Sequence, residues 1–306
     1  MKHKELNFLQ RIGLELMWAF AWLFAIMPYW FKYYVVENLL FFLLYYVLRY
    51  RMKVVKMNLR NSFPEKSEKQ RNEICRKFYF TLAEMFVDTF NLAYMTTAKA
   101  KRILQVDADE YIVERTAGQD WIALTAHYGC WEYYAYWGFY DPSKVIMSVY
   151  HPLHNEVVNR FYQRLRSVQN SQPVAMREVI RYYLRHREQQ QKGKNFAIGL
   201  IADQNPPLRP DSHWFQFLNQ DTVFFDGGEK LALKFHLPVY FVSVDRLCRG
   251  RYRMHFEQIY DGKESVAPNE ITGRYVQKLE EMIVAQPELW MWSHRRWKHK
   301  RTNVCH

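Results

Sequence analysis

Thr125 to Glu132 reads TAHYGCWE, and it places a histidine, a cysteine and a glutamate within six positions. Four roles are open to such a set. A zinc site needs at least three ligands at workable spacing, and the stretch has neither H-E-x-x-H nor a second cysteine. A thiolate mechanism would use Cys130, three residues from His127, but nothing else in the chain supports it. A histidine–carboxylate dyad asks for less: Glu132 accepts one ring N–H and fixes the tautomer, while the other nitrogen takes a proton from a substrate hydroxyl. With a reference pKa near 6.5, such a histidine is largely neutral at cytosolic pH and serves as a base without tuning. The fourth role is structural, a histidine at a strand end satisfied by a neighbour. On these residues alone the last two stay open.

Backbone geometry decides whether the dyad is feasible. On one regular helix, residues five apart point about 140° away from each other, so His127 and Glu132 would not meet. A strand, a turn and a new helix would let them. DWIALTA, Asp120 to Ala126, is a short apolar run with strand character, and WEYYAYWGF after it reads as helical. His127 is thus expected at a strand end and Glu132 in the first helical turn. Further helices are expected from Pro64, where Ile74, Phe78, Leu82, Met85 and Phe86 recur at spacings of three and four, from His154, and around Val179 to Leu184. NFAIGLIAD, LPVYFVSV and YRMHFEQI read as buried strands, with a helix at Glu229 to Phe235 between the first two. Alternating strands and helices imply an α/β fold with a mostly parallel sheet covered on both faces. Functional groups then gather beyond the carboxyl ends of the strands.

The amino end differs. Leu16 to Phe31 has sixteen residues without a charge, Val35 to Leu48 is almost as apolar, and Arg49, Arg51, Lys53 and Lys56 follow. Aromatic edges and a trailing basic cluster predict a membrane anchor over residues 1–50, ahead of a second domain over 51–306 on the cytoplasmic side. Lysine and arginine outnumber the acids, 43 to 31, for a formal charge of +12, which points to an anionic partner. No recognisable DNA- or RNA-binding module accompanies that charge, so nucleic acid is not expected. The four cysteines, at 75, 130, 248 and 305, form no C-x-x-C pair, which argues against a disulfide framework.

HYGCWE after an apolar strand resembles the H-x-x-x-x-D/E motif of glycerolipid-type acyltransferases, and in particular the late acyltransferases of lipid A biosynthesis. Four more blocks resemble that family in order and spacing: RMKVVKMNLRNSFPEKS, VYHPLHNEVVNRFYQRLRS, GLIADQ and WMWSHRRWK. Two segments depart from it. Cys130 stands where the family commonly has Asn, and FFDGGEKLAL replaces a stretch that more often carries Gly, Thr or Pro. The resemblance implies transfer of a fatty acyl chain from acyl carrier protein to a hydroxyl of a phosphorylated glycolipid, the lipid A precursor, at the cytoplasmic face of the inner membrane. His127 and Glu132 would be catalytic, and no cofactor or metal would be required. Arg164, Arg166 and Arg177 match basic positions of the second block and become candidates for the acceptor phosphates. Asp203 and Gln204 match the D-Q pair of the third and become candidate substrate binders. Another membrane glycolipid or an aminolipid would be the alternative acceptor.

Overall fold

A computed structural model describes residues 6–106, 109–188 and 194–301, so Cys305 lies outside the described residues. Helix α1, Phe8–Ile26, starts at a capping box in which Asn7 and Gln10 satisfy each other's backbone N–H. Its Trp18, Ala21 and Phe24 face the protein, while Phe8, Leu9, Leu16, Phe20, Leu23 and Ile26 are exposed. By length and composition α1 could cross a membrane. A second apolar helical stretch, Phe31–Val47, is π-helical at both ends and α-helical (α2) only over Glu37–Phe42. It bends by 86° into α3, Met52–Ser62. Tyr33 donates to Asp88 at 2.6 Å and Arg249 pairs with Glu37 at 3.2 Å, fastening this stretch to the body of the protein.

Next comes α4, Glu68–Leu92. The sequence pattern expects a helix opening at Pro64, but the chain starts it four residues later. Ser67 accepts from the Gln70 N–H and the Gln70 side chain accepts from the Ser67 N–H, a second capping box that sets the boundary. Then follow α5, Thr97–Ile103, β1, Leu104–Val106, α6, Asp109–Arg115, and β2, Trp121–Thr125. WEYYAYWGF is helical as expected, in the tighter 3-10 form over Trp131–Phe139.

The middle of the chain gives β3, Lys144–Tyr150, α7, Glu156–Arg166, β4, Ser171–Ala175, α8, Val179–Glu188, and β5, Asn195–Ile201. A hairpin of β6, Trp214–Phe217, and β7, Gln220–Val223, precedes α9, Gly227–Phe235. The long strands β8, Val239–Cys248, and β9, Arg251–Tyr260, and finally α10, Glu270–Ala285, complete the order.

Seven strands form one sheet in the order β1-β9-β8-β2-β5-β3-β4, parallel except for the β8/β9 pair. This is the mostly parallel, helix-flanked sheet that the alternation predicts. β2 is buried along nearly its whole length, as a central strand covered on both faces must be. Three of the sheet's members, β1, β3 and β4, are absent from the sequence reading. β3 opens with Lys144, whose ammonium is buried and donates to the Thr116 and Gln119 carbonyls, so a charged residue masks an interior strand. The β6/β7 hairpin was hidden in the proline-broken loop. Its two turn residues, Leu218 and Asn219, both take positive φ, the geometry that tight hairpins favour.

Candidate active site

The register of β2 and β5 assembles the site. Thr125 lies opposite Ile201, and the Ala202 N–H donates to the Thr125 carbonyl. Two residues beyond the Thr125–Ile201 pair, on each strand, come His127 and Asp203. Parallel pairing in step therefore carries an imidazole and a carboxylate, 76 residues apart, to neighbouring strand ends. Asp203 Oδ1 meets His127 Nδ1 at 2.6 Å, and Oδ2 accepts from the His127 backbone N–H at 3.1 Å and from the Trp290 indole at 2.9 Å. Burial would raise the Asp203 carboxyl, but the facing charge and hydrogen bonds of His127, with the Trp290 donor, hold it below its usual range. On the other side of the ring, the Gln204 amide lies 3.2 Å from Nε2. A carboxylate at Nδ1 and an amide donor at Nε2 select the tautomer with its proton on Nδ1 and a lone pair on Nε2.

The turn after His127 is braced by the carboxyl-terminal part of the chain. Gly129 adopts φ +54, and an added Cβ would sit 3.4 Å from the Tyr252 ring. Its N–H donates to the Leu289 carbonyl, the Met291 N–H donates to the His127 carbonyl, and Tyr128 bridges Trp290. That block is held in turn by α3 and the residue before it. Asn58 donates to the Trp292 and His294 carbonyls, and Arg51 to that of Ser293.

Glu132 occupies the first helical turn as expected, but its carboxylate is engaged elsewhere. Arg166, the last residue of α7, donates from Nε to Oε2 at 2.7 Å and from Nη2 to Oε1 at 2.6 Å, and the Trp131 indole adds a third donor at 3.1 Å. Among the described residues no hydrogen bond joins Glu132 to His127, so the expected ring contact is corrected: Asp203 makes it. The Trp131 ring, edge-on to His127 with centroids 4.9 Å apart, stands beside the imidazole instead. Burial opposes the Arg166 charge, and Glu132 overcomes that opposition to raise its pKa.

Two cavities meet here. One, about 430 Å³, is lined by His127, Ser148, Tyr150, His151, Arg166 and Asn205. The other, about 470 Å³, runs between the amino-terminal helices and α4, past Leu44, Leu82, Met85 and Phe86. Trp131, Glu132, Tyr162, Gln204 and Met291 line both and form their common wall. The cavity holding the imidazole, which Ile146, Val149 and Leu153 also line, thus abuts a second, largely apolar one of a size suited to a hydrocarbon chain.

Of the residues the sequence singles out, the fold gathers His127, Glu132, Arg166, Asp203 and Gln204. Arg164 turns the other way, its guanidinium 4.3 Å over the Trp18 ring and 3.9 Å from Glu15 on α1. Arg177 is exposed in the turn after β4, where its neighbour Met176 reaches the imidazole's cavity. Cys130 is buried, and burial pushes its thiol well up, away from thiolate chemistry. Among the described residues no cluster of three His, Cys, Asp or Glu is placed to hold a metal ion. Trp290 is the partner that the sequence reading misses.

A family model described as Bacterial lipid A biosynthesis acyltransferase matches residues 1–299. No curated protein sequence matches the chain significantly. With an imidazole and carboxylate at the strand ends and a match over nearly the full length, the chain belongs to the bacterial lipid A biosynthesis acyltransferase family.

Proposed function

We propose that this chain is a membrane-bound O-acyltransferase that moves a fatty acyl chain from acyl carrier protein directly onto a hydroxyl of a phosphorylated lipid A precursor, at the cytoplasmic face of the inner membrane. The observation that carries this reading is His127, held at Nδ1 by the buried Asp203 and presenting Nε2 to a cavity that shares a wall with an apolar chamber.

In this reading Gln204 swings off Nε2 and the acceptor hydroxyl takes its place. Nε2 removes the hydroxyl proton as the oxygen attacks the thioester carbonyl. The new C–O bond forms, the C–S bond breaks, and the departing thiolate recovers the proton from the imidazolium. Asp203 stabilises that imidazolium, as an orienting carboxylate does in other histidine-base sites. The thioester is already activated, so no enzyme-bound acyl intermediate is needed. Glu132 acts through Arg166: the ion pair holds a planar guanidinium in the wall of the imidazole's cavity, where it faces the acceptor's phosphate or the reacting ester. The apolar chamber receives an acyl chain, and the exposed apolar side of α1 lies in the bilayer.

The test uses purified enzyme, acyl-carrier thioester and lipid A precursor, with product mass spectrometry. The wild type should add one acyl group to the precursor, and His127→Ala should lower turnover by at least about a hundredfold. Undiminished turnover in His127→Ala would refute the base. Lipids of cells lacking this protein should be missing one acyl group on lipid A, and a deficit confined to another glycolipid would replace the acceptor.

A further inference from the structure

The outer face of α3 carries Lys53, Lys56 and Arg60, all exposed, at spacings of three and four, while Met52, Val55 and Leu59 on the inner face are buried. Among the described residues none of the three cations has an ion-pair partner. With Arg71 and Asn72 from the first turns of α4 they line a groove of about 470 Å³ in which Glu68 is the one carboxylate. Like charges gathered this closely repel one another unless a partner neutralises them. The row begins two residues after Arg51, which lines the apolar cavity and is tied to Ser293 at 3.0 Å. Across that lip, Ser293 and His294 lead into the exposed Arg295, Lys298 and Lys300. Exposed cations therefore follow the cavity-lining residues along the chain in both segments, after Arg51 in α3 and after His294.

An anionic bilayer and an acidic protein would both satisfy this charge, and the shape favours the protein. A helix that lies in a membrane interface inserts an apolar face. α3 gives its apolar face to the protein core, leaving Met57 as its one exposed large apolar side chain. The cationic surface is also concave, unlike the surface a bilayer requires. From these observations we infer that the α3 groove, together with the cations across the lip, is the docking surface for an acidic protein. That partner delivers an acyl thioester on a flexible arm past Arg51 into the apolar chamber. The inference rests on the donor being carrier-borne, as proposed above, and adds where the carrier sits.

The experiment compares the wild type with the K53E/K56E/R60E variant, whose changes all lie on solvent-facing positions. Two donors bear the same acyl chain, one on acyl carrier protein and one as a pantetheine thioester. Rim charges act on encounter and salt dependence, so the variant's KM for the carrier-borne donor should rise about tenfold or more. Its kcat, its KM for the pantetheine thioester and its sedimentation with anionic vesicles should hold. An unchanged carrier KM, or an equal loss with both donors, overturns the inference. Lost vesicle binding with an intact carrier KM assigns the groove to the membrane instead. Carrier binding to the immobilised proteins, measured without turnover, keeps the two readings separate. If the wild type transfers from neither donor, acyl transfer itself falls, while about tenfold weaker binding to the variant still supports the docking surface and equal binding removes it.

Discussion

Asp203 and Glu132 are both buried acids beside the same histidine, and their surroundings give them different tasks. Asp203 is met by an imidazole, an indole and a backbone N–H at the end of two paired strands. Glu132 is met by a guanidinium that grips both its oxygens and by the indole of Trp131. The first arrangement stabilises a proton on a ring that can give it away. In the second, a permanent cation is locked in place. Five residues of sequence separate His127 from Glu132, but strand register brings His127 to a residue 76 positions away. Proximity in a motif is no guide to partnership when a turn intervenes.

Mutations on the two sides of this contrast should behave differently. His127→Ala should cost the most activity, about 10² to 10⁴ in kcat. Asp203→Asn should follow at roughly a hundredfold, with the acidic limb of the pH–rate profile displaced, because an amide cannot stabilise the imidazolium. A normal profile in that variant would return the orienting role to Glu132. Glu132→Gln leaves the Arg166 charge buried and unpaired, so it should lower unfolding stability by about 3 to 5 kcal/mol. Adding Arg166→Gln should restore much of that in a double-mutant cycle, and strictly additive losses would break the contrast.

His294 offers a further measure. Burial beside the apolar cavity holds its pKa down at about 4, against an ordinary 6.5. As pH falls through 6.5 the unfolded chain takes up a proton before the folded one does. Stability is therefore complete above that value and lost progressively toward pH 4, by up to about 3 kcal/mol. His294→Gln should flatten denaturant midpoints across this window, and an unaltered slope would contradict the burial argument. The smallest effect belongs to Cys130→Ala, which should keep kcat within about twofold, since the thiol takes no part in a general-base mechanism.

Much of this architecture was legible. The apolar runs at Trp121 and Asn195 became β2 and β5, and the helix after His154 became α7. They could be read because central strands and amphipathic helices leave strong periodic signals. β3 was not, since its first residue is a lysine that finds two carbonyls inside the fold, a satisfaction that composition does not reveal. Both members of the His127–Asp203 pair were named, each placed just beyond a strand, but the pairing depended on which strands are neighbours and in what register. Trp290 left no signal of its own, because a lone indole donor sits in a tryptophan-rich block where several such residues serve as packing. The signal that was available is the equal distance of His127 and Asp203 from the ends of their strands.

The bracing of His127 by the segment from Leu289 to Met291 has a consequence for biosynthesis. When the ribosome has finished β2 and β5, the imidazole and its carboxylate both exist, but the turn after His127 lacks the backbone partners that fix it. Those arrive only with Leu289, 88 residues after β5 ends at Ile201. A chain that stops before Trp290 should therefore leave His127 unbraced, and such a truncation should be as damaging to activity as loss of the histidine.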